Sequence, residues 1–160
     1  MGERIDYYDD PDAPPANSIK PSAAALVVWD GAILLTQRSD NGNWSMPGGA
    51  QDPGESLTQT AIRETLEESG IYIRPTGVAG IYTDPKHVVH YTSDDEVRQE
   101  FTIVYRAHYL SGEPTTSDET TQVEWVPVER LAELKMDRSQ RMRIEWGLTH
   151  ADTWIDPPGA

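Results

Sequence analysis

Two apolar, partly β-branched runs, Ser22 to Trp29 and Ala32 to Gln37, are separated by Asp30-Gly31, a dipeptide suited to the positive-φ turn of a tight hairpin. The pattern then changes period. From near Glu55 to Ser69 the spacing of charged and apolar positions fits a helix, preceded by turn residues at Trp44-Ser45-Met46-Pro47-Gly48-Gly49 and at Pro53-Gly54. Ile71 to Thr83 reads as a strand broken at Pro75-Thr76-Gly77, and Val97 to Leu110 as one long alternating strand ended by Ser111-Gly112-Glu113-Pro114. A strand at Gln122 to Val126, a short helix after Pro127 and a last helix from Arg138 to Leu148 complete the series. Residues 1–20 are rich in Pro and Asp and read as an extended or partly ordered arm, with Tyr7 and Tyr8 as surface packing groups or as stacking groups for a base or a partner. Residues 21–150 form the expected domain. Residues 151–160 read as a C-terminal tail, frayed at Pro157-Pro158-Gly159. Mixed strands, a central helix and a C-terminal helix are compatible with a sheet flanked by helices.

The helical segment carries the chemistry. At about 100° per residue, Glu64, Glu67 and Glu68 fall at about 0°, 300° and 40°, within one arc, with Ile62 and Leu66 opposite at about 160° and 200°. The acidic arc needs a cation, because carboxylates so close raise one another's pKa. Oxygen ligands without Cys or His select Mg²⁺ or Mn²⁺ over zinc. A glutamate-rich helical face is usually a solvated surface. Here the glycine turns on its N-terminal side argue against that, since they let backbone groups approach an ion or a phosphate.

Length and charge narrow the classes further. A chain of 160 residues is one domain. The absence of cysteine excludes disulfides, thiolate metal sites and cysteine nucleophiles. No window is long and apolar enough for a membrane span and the N-terminus lacks a signal pattern, so a cytoplasmic location is expected. With 13 basic and 27 acidic residues, a net charge of -14 repels long nucleic acid and anionic membranes. A small phosphorylated substrate is repelled too, so local cations must receive it. Arg38, Lys86, His87, His90 and Arg98 are the candidates.

Written as a pattern, Gly49, Glu55, Arg63-Glu64, Glu67-Glu68 and Gly70-Ile71 stand at the spacing of the Nudix box, and residues 20–148 resemble that family. The resemblance implies an α/β/α sandwich with a mixed β-sheet. It implies a Mg²⁺-dependent hydrolase that cuts the phosphoanhydride of a nucleoside diphosphate linked to another group X. By the same resemblance Gly48 offers its carbonyl to the metal alongside Glu64, Glu67 and Glu68, and Arg63 holds a carboxylate in place. Glu119, or else Glu67, activates the water. Arg38, Tyr82, His87 and Arg98 are the candidate substrate-binding residues, with Tyr82 to His87 as a substrate loop. ADP-ribose or a nucleotide sugar is the first substrate expected. An oxidised or ordinary nucleoside triphosphate is the second, and a non-catalytic nucleotide-binding domain the third. Many relatives are homodimers, which leaves room for exchange of the tyrosine-bearing arm between subunits. Thr65 departs from the pattern, standing where an aliphatic residue is usual, at what reads as the edge of the apolar arc.

Overall fold

The expected hairpin forms and seeds the larger of two sheets. In the computed structural model, which describes residues 2–158, Asp30 and Gly31 have φ of 50° and 73° and join β3 (Ser22–Trp29) to β4 (Ala32–Arg38). The two strands pair only next to the turn, at Val28 with Ile33 and Trp29 with Ala32. Beyond it they splay apart. The gap is filled by β5 (Trp44–Ser45) against β4 and β6 (Gly48–Ala50) against β3. The segment read as a turn is therefore two short strands around Pro47, whose carbonyl accepts from the amide of Ala25 at 3.0 Å.

With β7 (Tyr72–Tyr82), β10 (Thr102–Ser111), β11 (Thr120–Pro127) and β12 (Trp154–Ile155), the sheet runs β11-β4-β3-β10-β7-β12. It is mixed: β3 with β10 and β7 with β12 are parallel, and the other neighbours antiparallel. Period-2 alternation sorts its side chains onto two faces. Ala24, Leu26, Ile33 and Leu35 join Ile144 of α2 (Arg138–Thr149) in one core. Ala25, Val27 and Leu34 join Ile71 and Ile73 in the other, against which Ile62 of α1 (Leu57–Ser69) packs. The α/β/α sandwich follows.

Several expectations need correction. Glu55 lies outside the helix, because Ser56 caps it in a box: the Gln59 amide donates to Ser56 Oγ at 3.1 Å and the Ser56 amide to Gln59 Oε1 at 2.7 Å. Strand β7 runs unbroken through Pro75-Thr76-Gly77, and its pairing with β10 absorbs the irregularity as register shifts. The long strand from Val97 is two, β9 (Glu96–Gln99) and β10, in different sheets. The chain crosses between them at Glu100, whose carboxylate accepts from the Phe101 amide and the Thr102 hydroxyl, both at 2.9 Å. After Pro127 comes a 3-10 segment, Val128–Glu133.

The arm is ordered. β1 (Arg4–Tyr8) pairs antiparallel with β8 (His87–Tyr91), and β2 (Ser18–Ile19) parallel with β9 of the same chain, giving a small sheet β1-β8-β9-β2. Tyr8 stacks on His87 at 4.4 Å between ring centroids and donates to Asp137. The C-terminal tail carries β12 ahead of the stretch read as frayed, of which Gly159, like Ala160, lies outside the described residues. Among the described residues no helix is long and apolar enough to cross a membrane.

Candidate active site

The 44–50 segment that fills the gap between β3 and β4 also forms the floor of a cavity of about 330 Å³. Gly48, Gly49 and Ala50 of β6 meet Glu64 and Glu68 of α1 there, with Arg38 at the end of β4 and Glu119 from the loop before β11. One carboxylate oxygen from each of Glu64, Glu68 and Glu119 lies within 4.8 Å of the others. The loop bearing Glu119 is fastened at two points. The Ser39 amide donates to the Glu119 carbonyl at 3.0 Å, and the Thr120 hydroxyl to the Glu68 carbonyl at 2.9 Å.

Electrostatically this cluster is expensive without a cation. Burial pushes Glu68 up to about 8, with Glu64 and Glu119 adding to the shift and the Gly48 amide, which donates to Glu68 Oε1 at 3.0 Å, opposing it. Burial raises Glu64 as well, against the hydrogen bond it accepts from Arg63. Such a set of converging hard oxygen donors fits Mg²⁺ or Mn²⁺. The backbone fits too: a Cβ on Gly49 would lie 2.6 Å from Glu64 Cδ, and one on Gly48 would lie 2.5 Å from the Ala23 carbonyl oxygen. Gly49→Ala should displace Glu64 and lower metal-dependent turnover by about tenfold or more, with circular dichroism checking that the fold persists.

Arg63 braces the cluster from outside the cavity. It donates to Glu55 through Nε and Nη2 at 3.0 and 2.7 Å, to Glu64 at 2.8 Å, to Glu67 at 3.2 Å and to the Ala50 carbonyl at 3.1 Å. Its hydrogen bonds hold Glu55 down to about 2. Glu67 stands apart. Its side chain is 58% exposed, and it is absent from the converging trio.

The helix is rotated from its expected setting. Thr60, Ala61, Thr65, Glu68 and Ser69 are its buried residues, while Ile62 and Leu66 are only half-buried. The buried face thus overlaps the Glu64/Glu68 side of the acidic arc and turns Glu67, on the arc's other edge, toward solvent. Thr65 is at the centre of that face, fully buried, with no partner for its hydroxyl among the described residues.

Of the substrate-binding candidates, Arg38 and Arg98 line the cavity. Tyr82 and His87 do not. Tyr82 belongs to the hydrophobic core beneath Arg143, whose guanidinium sits 4.5 Å from the ring centroid. His87 is buried between Asp6 at 2.8 Å and Glu100 at 3.3 Å, because the supposed substrate loop leads into β8 of the small sheet. Lys86 and His90 are tied to Asp9 and Asp95 and are absent from the cavity lining. Sequence reasoning missed Arg4, Lys20 and Arg143, which line the opposite wall. Arg4 and Lys20 both lie in the segment, residues 1–20, read as an arm.

A family model described as the NUDIX domain matches residues 19–147. A MutT-like protein of Streptomyces ambofaciens is 31% identical over 122 residues, which span 76% of this chain and 71% of the relative. Nudix hydrolase 3 of Caenorhabditis elegans is 33% identical over 138 residues, 80% of this chain and 56% of the relative. Among solved structures, an ADP-ribose pyrophosphatase from Streptococcus suis superposes with a TM-score of 0.67 at 21% identity, covering 87% of this chain and all of that one. At that identity the likeness is one of fold.

Proposed function

Since the chain belongs to the Nudix family, we propose that it hydrolyses a phosphoanhydride bond in a nucleoside diphosphate-X substrate with Mg²⁺ as cofactor. The observation that carries this reading is the convergence of Glu64, Glu68 and Glu119 at the floor of an arginine-walled cavity. Mg²⁺ held there would supply neutralisation of charge on the phosphate oxygens and a more acidic attacking water. The side chains divide the remaining work. Glu64 and Glu68, with the backbone at Gly48, would hold the ion, and Arg63 fixes the rotamer of Glu64 while pinning β6 through Ala50. Arg38, paired with Asp40 at 2.6 Å, sits on the phosphate side of the floor. Glu119 is exposed and flanks the ion site, in position to take the proton from water as its oxygen bonds to phosphorus and the bridging P–O bond breaks. Glu67 acts through Arg63.

ADP-ribose or another nucleotide sugar is the substrate class we assign first. The test is a product-resolved assay of ADP-ribose, nucleotide sugars, dinucleoside polyphosphates and nucleoside triphosphates with Mg²⁺ or Mn²⁺. Release of AMP and ribose 5-phosphate from ADP-ribose is the expected result. Preferred release of a nucleoside monophosphate and pyrophosphate from a triphosphate would move the assignment to the MutT-type reaction. Nucleotide binding without turnover of any member, at any concentration of either metal, would overturn the hydrolase reading.

A further inference from the structure

The wall facing the carboxylate trio is built mainly from the small sheet, and two of its arginines share one arrangement. On β1, Arg4 gives Nε and Nη2 to Asp6 at 2.9 and 3.2 Å. On β9, Arg98 gives the same two nitrogens to Glu96 at 2.8 and 3.0 Å. In each case the acid lies two residues away on the same face of the strand. Arg38 repeats the clamp beside the floor, giving Nε and Nη2 to Asp40 at 2.9 and 2.6 Å. Each pairing occupies one edge of the guanidinium. Among the described residues, Nη1 of all three has no protein partner. Of the arginines outside the cavity that are held by hydrogen bonds, Arg63, Arg106 and Arg141 commit Nη1 to Glu64, Gly147 and Leu131.

Arg143 adds a second, independent observation. It lines the same cavity, is only 5% exposed, donates Nη2 to Glu100 at 2.8 Å and leaves its buried Nε unpaired. A buried donor without a partner is costly. On this wall Arg4, Lys20, Arg98 and Arg143 face Asp6, Glu96 and Glu100, so four cations meet three carboxylates. Arg4 also lies near enough to Arg98 for their charges to repel. In a chain of net charge -14, a cluster of like-charged, one-edge-clamped arginines is a preorganised anion receptor: the clamps have already removed rotamer freedom that binding would otherwise cost.

We propose that this wall is a second anion subsite, which reads a negatively charged group of the substrate lying beyond the two phosphates at Glu64, Glu68 and Glu119. The proposal rests on the hydrolase reading above and shifts the preferred substrate within that class away from ADP-ribose, which carries no anionic group beyond its two phosphates, toward members that do. Such a group is either a carboxylate or phosphate carried by X, or a further phosphate in a longer chain.

Two matched pairs separate these sources: UDP-glucuronate against UDP-glucose, and diadenosine tetraphosphate against diadenosine diphosphate. In at least one pair the more charged member should be preferred by about tenfold or more in kcat/KM, mostly through KM. A preference in the first pair identifies charge on X, and in the second a longer phosphate chain. Arg98→Gln should reduce the preference to near unity and Arg98→Lys should restore part of it. Arg98 is chosen because Arg143 is buried, and Arg4→Gln provides an independent variant. Equal turnover within both pairs, or a preference unchanged in both Arg98→Gln and Arg4→Gln, overturns the subsite and leaves the hydrolase reading standing. Absence of metal-dependent turnover of any phosphoanhydride overturns both.

Discussion

Glu68→Gln is expected to lower Mg²⁺-dependent turnover by about two to four orders of magnitude and, in the same protein, to raise stability in the absence of metal at alkaline pH. The first effect follows from position. Glu68 is the most buried of the three converging carboxylates, so its charge is the least screened and contributes most to holding the ion. The second follows from proton linkage. Glu68 ionises at about 4.5 in the unfolded chain and at about 8 in the folded one. Between those values the folded protein holds a proton that the unfolded chain has lost. Metal-free stability therefore falls as pH rises across that window and is lowest above about 8. Glutamine removes that dependence while keeping an amide oxygen to accept from Gly48. Adding Mg²⁺ to the wild-type protein should have the opposite trend to pH, since at acidic pH the ion must displace the proton. Its increase in Tm should grow from pH 6 to about pH 8.5, and in Glu68→Gln it should be small throughout. Thermal unfolding with and without Mg²⁺ at several pH values measures both. A Mg²⁺-induced shift that is independent of pH in the wild type would remove Glu68 from the ion site.

The local devices were legible in the sequence because they depend on neighbours in the chain. Asp30-Gly31 specifies its hairpin through two positive φ values, and Gly49 to Ile71 specifies the acidic helix and its turns through spacing. The helix rotation was not legible. Treating Ile62 and Leu66 as the buried stripe is sound for an isolated amphipathic helix, but here α1 buries the side bearing Thr65 and Glu68. Tertiary packing on β3, β6 and β7 overrides hydrophobicity, and only that rotation separates Glu67 from Glu64 and Glu68. The small sheet was hidden for a related reason. Its strands are short and polar, and β1 finds β8 some 80 residues later, a pairing that no local pattern encodes. Reading residues 1–20 as an arm concealed Arg4 and Lys20, and reading Val97 to Leu110 as one strand concealed the crossing at Glu100. A local signal for the cavity wall did exist. Arg4-x-Asp6, Arg38-x-Asp40 and Glu96-x-Arg98 each place an arginine and an acid two residues apart, a spacing that pairs side chains on a strand and separates them on a helix.

The same rotation yields the sharpest prediction about the chemical step. Glu119→Gln should lower kcat by about 10²- to 10⁴-fold, the usual range for loss of a positioned base, whereas Glu67→Gln should cost less than about tenfold. Glu119 reaches the proposed ion site from a loop fixed to the end of β4 by the Ser39 amide and to α1 by Thr120. Its carboxylate keeps an exposed flank where a water can lie between it and the substrate phosphate. Among the described residues Glu67 has one side-chain partner, Arg63 at 3.2 Å, and its removal leaves Arg63 still bonded to Glu55, Glu64 and Ala50. Calorimetric titration with Mg²⁺ separates proton transfer from ion binding. If Glu119 is the base, Glu119→Gln should retain Mg²⁺ binding within about tenfold of wild type, through Glu64 and Glu68, while kcat collapses. A parallel loss of Mg²⁺ affinity and kcat would make Glu119 an ion ligand alone. A larger fall in kcat for Glu67→Gln than for Glu119→Gln would assign proton transfer to the helix and require α1 to turn when substrate binds.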